Sequence, residues 1–123
     1  MNNRANEMIE AWDSHPQDWT QINLSDFSNK QAWFNYIQTL ANDGYLVVSG
    51  WINNSITDGV RDSGHVTVIV PGNLEDMENS GNFGGRVPFT MDTGANMRET
   101  KQKLSLSYGK DKANNVVFYY YNR

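Results

Sequence analysis

The chain contains no cysteine, and its 123 residues include only three prolines and two histidines. Without cysteine there can be no disulfide, no thiolate metal site and no cysteine nucleophile. No apolar run approaches the ~20 residues of a membrane-spanning helix. The opening MNNRANEMIEAWDSHP lacks the cationic start and apolar stretch of a signal peptide, so the expectation is no membrane partner and no export address in the chain as given, with cytoplasmic synthesis and delivery to the cell wall left open. His15 and His65 lack the clustered spacing of a zinc site, and Asp58, Asp62, Glu75, Asp76 and Glu78 lack the ligand periodicity of a calcium loop. The glycine-rich stretch 81–85 has no phosphate-loop lysine. The expectation is therefore no metal and no cofactor.

Four tryptophans and an apolar fraction of 38% are too rich for disorder, while sixteen asparagines indicate a strongly hydrated surface. The length fits one domain, residues 1–123. The net charge of −4 hides an asymmetry: residues 1–85 hold three basic and eleven acidic side chains, and residues 86–123 hold seven and three. The acidic total disfavours nucleic acid as a partner.

Ala5, Met8, Ile9 and Trp12 recur at helical spacing, with Asn2 or Asn3 as cap and Pro16 forcing an end near Asp13. A second stripe, Ala32, Trp33, Tyr36, Ile37, Leu40 and Ala41, follows a capping box of Ser28 and Gln31 and ends at Gly44. Four β-branched or aromatic runs then read as strands: 45–51, 65–70, 86–91 and 115–121, with Pro88 at an edge or bulge. Leu104, Leu106 and Tyr108 alternate as a short extended piece. The order implies an α+β domain, an antiparallel sheet of about four strands with both N-terminal helices packed on one face. The polar segments 52–64 and 71–85 read as long loops framing His65.

The candidate chemistry centres on Ser63-Gly64-His65, where a histidine at the mouth of a strand follows a glycine that permits close approach. If strands 65–70 and 86–91 pair antiparallel, Val70 lies near Arg86 and the His65 end lies near Met91, Asp92 and Thr93. Asp92 is then either an orienter for the imidazole or a turn residue before Thr93-Gly94. Trp51 heads the loop leading to Gly64 and either flanks the same cleft or packs in the core. Ser63 and Ser28 are the hydroxyls with the most suggestive settings, and both have ordinary loop and capping roles.

The runs GYLVVSGW, SGHVTVIVPG, VPFTMDTG and NNVVFYYY, with ANEMIEAW upstream, resemble the β-rich part of NlpC-like and CHAP-like papain-fold peptidoglycan hydrolases. The resemblance extends over most of the chain, with the glycine-histidine-strand signature as its specific part. It implies an amide hydrolase acting on wall stem peptides, with His65 as general base, Asp92 as third polar residue, and Trp51, Ser63 and Gly64 beside the substrate. The family's cysteine, at the start of an N-terminal helix, has no counterpart, and the alignment begins downstream of that helix. Two outcomes follow from the resemblance: an active form whose nucleophile comes from an upstream segment or second chain, or a degenerate form that only binds wall peptide or a protein partner. The −8 charge of residues 1–85, the small size and the incomplete catalytic set read instead as a small acidic inhibitor or immunity factor of the kind a phage or mobile element encodes.

Overall fold

The computed structural model of the chain describes residues 4–74, 86–92, 102–104, 108 and 110–123. The first stripe folds as α1 (Arg4–Ser14). Its end is built by the residue before Pro16: the His15 Nδ1 lies 2.7 Å from the Ala11 carbonyl oxygen, occupying an acceptor that the helix leaves open. Ile9 and Trp12 are buried as expected, whereas Met8 is exposed and Asn6 is buried in its place. The expected caps Asn2 and Asn3 lie outside the described residues.

A short strand, β1 (Trp19–Gln21), and a 3-10 turn lead to α2 (Lys30–Asn42). The cap of α2 is Asn29, whose side chain accepts from the Ala32 N–H at 2.8 Å; the expected Ser28 and Gln31 box does not form, because Gln31 is engaged with residue 86. Gly44 follows the helix at φ +91°, the left-handed geometry that favours glycine.

The four expected strands are present as β2 (Val47–Trp51), β5 (His65–Ile69), β6 (Phe89–Asp92) and β8 (Val117–Tyr121). With β1 and β7 (Gln102–Lys103) they form a six-stranded sheet in the order β1-β8-β2-β5-β6-β7 with antiparallel neighbours. The strand β6 begins after Pro88, whose carbonyl accepts from the Leu104 N–H at 2.8 Å. The loop 52–64 contains a hairpin, β3 (Ile56–Thr57) and β4 (Val60–Arg61), turned by Asp58 and Gly59 at φ 52° and 80°. This is the positive-φ pair that two-residue hairpins require, and Asp-Gly is a preferred sequence for it. Of the expected extended piece 104–108, the Tyr108 N–H donates to the Leu104 carbonyl, four residues back. Leu106 lies outside the described residues, as does 75–85 of the second expected loop.

The helices do not share a face. Val47, Ile69 and Phe118 pack with Trp33, Phe34 and Ile37 of α2, whereas Val48, Val66 and Tyr119 pack with Ile9 and Trp12 of α1. Alternate residues of one strand point to opposite faces, so the sheet is covered by α2 on one side and α1 on the other. The close approach of α1 occurs at Gly50, where an added Cβ would stand 2.5 Å from Ile9 Cγ1.

Candidate functional site

The register sets the site geometry. His65 pairs with Trp51 across β5 and β2, so the imidazole and indole stand on the same, α2-facing side at one end of the strand pair. His65 is half-buried. Its ring meets the Tyr108 ring edge-on at 5.2 Å between centroids, with the planes at 73°. Beneath it runs a buried chain of hydroxyls: Ser49 bonds both Thr67 and Tyr108, the latter at 2.8 Å, and the Tyr108 hydroxyl reaches the His65 carbonyl oxygen at 3.5 Å. Burial of Ser49 and Thr67 is tolerable because each hydroxyl has a partner. Trp51 is half-buried and carries the Lys112 ammonium over its ring, 4.9 Å from the centroid.

The backbone of Asp92 pairs with Thr67, so it stands two residues along the ladder from the point opposite His65. Ile69 pairs with Thr90, which shifts the ladder from the expected pairing of Val70 with Arg86. Met91 belongs to the same strand, and Thr93 lies outside the described residues. Ser63 is exposed, and its carbonyl accepts from the Asn53 side chain at 3.1 Å. The close approach at Gly64 is made by the chain itself: a Cβ there would run into Asn6 Oδ1 and the Trp51 carbonyl oxygen. Ser28 lies in the bend leading into α2 and is exposed.

Asn6 explains that crowding. Its side chain donates to the carbonyls of Asn53 and Asp62 at 3.1 and 2.9 Å, and accepts from the Asn53 N–H at 2.9 Å. Two other helix amides clamp backbone in the same two-handed way. Asn42 bonds the N–H and carbonyl of Gly72, and Gln31 bonds those of Arg86. The hairpin loop is also clipped to α1 by Arg61, whose guanidinium bonds both carboxylate oxygens of Glu10 at 3.1 and 2.8 Å. That hydrogen bond holds the Glu10 carboxyl below its ordinary range and raises the Arg61 value.

A cleft of about 700 Å³ opens on the other, α1-facing side. It is lined by Ile9 and Asp13, by Trp51–Ser55, and by Asn115, Val117 and Tyr119. Ile9 and Asp13 are four apart on a helix and Val117 and Tyr119 two apart on a strand, so each pair shares a face. The Tyr119 hydroxyl donates to Asp13 Oδ1 at 3.3 Å. Burial, with the Asp13 charge and hydrogen bond added, pushes the Tyr119 phenol up to about 12. His65 is not part of this lining.

Of the residues singled out in the sequence, the structure brings Trp51 and His65 together and sets Gly64 beside them as a packing residue. It adds Asn6, Ser49, Tyr108, Asp13 and Tyr119. Asp13 was accessible through its spacing from Ile9; Ser49 carried no signal beyond alternation in its strand, and Tyr108 none beyond alternation with Leu104 and Leu106 in sequence. Among the described residues no group of three or more metal-ligating side chains assembles, and no helix is long and apolar enough to cross a membrane. No family model matches the chain, and neither does any of the curated proteins.

Proposed function

We propose that the chain is a binding form of the papain-like wall-amidase scaffold, holding a cell-wall stem peptide at the ends of β2 and β5 without cleaving it. The observation that supports this reading is the direct pairing of Trp51 with His65, which presents an apolar ring and a hydrogen-bonding imidazole at one strand end. An imidazole can accept or donate to a peptide amide, and an indole face packs against the adjoining aliphatic groups. Cleavage would require a nucleophile within hydrogen-bond reach of that imidazole, and the sequence contains no cysteine to supply it.

The test is co-sedimentation of the protein with purified wall sacculi, paired with mass spectrometry of the supernatant. The expected result is saturable retention that His65→Ala weakens, with no fragments released. Fragment release that His65→Ala abolishes would replace the reading with an active hydrolase. Absence of retention would leave the acidic interaction protein, whose binding to a basic partner should fall steeply with salt and ignore His65→Ala.

A further inference from the structure

The cleft beside α1 lies on the sheet face opposite His65, and its lining has a chemistry of its own. Among the described residues Asp13 is the one charged side chain in it; Asn53, Asn54, Ser55 and Asn115 contribute neutral polar groups, and Ile9, Ile52 and Val117 are apolar. Val117 and Tyr119 lie on β8 and Asn115 ends the 3-10 turn just before it, so the lining runs from Asp13 and Tyr119 past Val117 to Asn115. Phosphates and carboxylates are disfavoured, because among the described residues no cationic side chain lines the cleft and a carboxylate stands at one end. A purely apolar guest would leave that carboxylate and the amides without the hydrogen bonds that water gives them.

We propose that this cleft binds a primary ammonium carried on an aliphatic stem, as in a lysine-type side chain of a peptide. The ammonium meets Asp13 and the stem lies over Ile9 and Val117. Tyr119 acts as a positioning residue. Its hydroxyl keeps its proton throughout the physiological range, since burial beside Asp13 raises the phenol to about 12, and it therefore donates to Asp13 and fixes the carboxylate's orientation. An ammonium has three donors, so the second carboxylate oxygen and a neighbouring amide oxygen can share it. The stem, ~6 Å long, runs over Val117 toward Asn115, where the peptide backbone lies. Trp51 borders this cleft as well as the wall-peptide site, but Asp13, Ile9, Val117 and Tyr119, which hold the ammonium and its stem, lie on the other face of the sheet and His65 is not in the lining, so the two readings are tested through different residues.

The probe is Nα-acetyl-lysine N-methylamide, titrated into the protein in the millimolar range and followed by amide chemical shifts, with the norleucine analogue as a stem lacking the ammonium. Expected are saturable shifts at Ile9, Asp13, Asn53, Asn115 and Tyr119, and binding about tenfold weaker for norleucine. Asp13→Asn should weaken the lysine probe about tenfold and leave norleucine unchanged, while keeping an acceptor for Tyr119 and so preserving the fold. Tyr119→Phe, which retains the charge, should weaken the lysine probe less than Asp13→Asn does. Equal binding of the two probes, shifts confined to other parts of the chain, or no saturation would each overturn the proposal. None of these outcomes decides sacculus binding, which His65→Ala reads separately.

Discussion

Gly64 and Asn6 occupy adjoining space so closely that any side chain at residue 64 would collide with the Asn6 amide oxygen. The amide in turn bonds the backbone of Asn53 and Asp62, so one glycine and one buried asparagine fix both ends of the hairpin loop to α1. Gly64→Ala should destabilise the fold by about 3 kcal/mol, since the Trp51 carbonyl on the other side is backbone and cannot yield. Asn6→Ala should lose a similar amount, because it leaves buried backbone groups unpaired. Urea midpoints of the two single variants and the double variant check this; a double variant as unstable as the sum of the two would show that the residues do not act together.

A second contact decides how α1 sits. Gly50→Ala would push a methyl group against Ile9 and should cost about 1–3 kcal/mol. Trimming Ile9 to alanine in the same chain should recover part of that loss, although Ile9→Ala alone destabilises. Thermal melts of the set of four proteins give the coupling directly.

The hydroxyl chain under His65 makes a third expectation. Ser49→Ala takes a buried hydrogen bond from each of the Thr67 and Tyr108 hydroxyls and should cost about 1–3 kcal/mol. Tyr108→Phe keeps the ring against His65 and removes one hydroxyl from the chain, so it should cost less. Denaturant unfolding ranks the two; the reverse order would mean that the chain contributes nothing.

The fourth concerns alkaline pH. The Tyr119 phenol titrates at about 12 in the folded protein, above its ordinary value of 10.0. The native state therefore holds this proton more tightly than the unfolded chain does, and the associated stability is fully present below pH ~10 and lost as the pH rises toward ~12. Urea midpoints across that interval should fall more steeply for the wild type than for Tyr119→Phe. Equal slopes would show that the phenol titrates normally.

Much of this architecture is legible in the sequence because it rests on periodicity. The helices containing Trp12 and Trp33 and the strands containing Val48, Val68, Met91 and Phe118 follow from stripes and alternation that survive any detail of packing. The placement of both helices on one face fails for a reason also present in the sequence. Val47-Val48 and Tyr119-Tyr120 are apolar at consecutive positions, the pattern of strands covered on both sides, whereas a sheet with one wet face would alternate.

The candidate site is less legible. His65 and Trp51 are conspicuous residues, and their pairing follows once the strands are adjacent. Asn6 and Asn42 read as ordinary helix surface and Gln31 as a capping partner of Ser28, yet each binds backbone from a distant segment, with sequence separations of 47, 30 and 55 residues. Only the folded contact reveals such a role, because an amide side chain looks the same in sequence whether it faces water or another stretch of chain.

Those three amides have a consequence for conditions outside the neutral range. A carboxamide neither gains nor loses a proton, and counter-ions do not weaken its bonds. The connections held by Asn6, Gln31 and Asn42 therefore stay docked in vinegar-like acid and in brine alike, while the Glu10–Arg61 clip lets go in both.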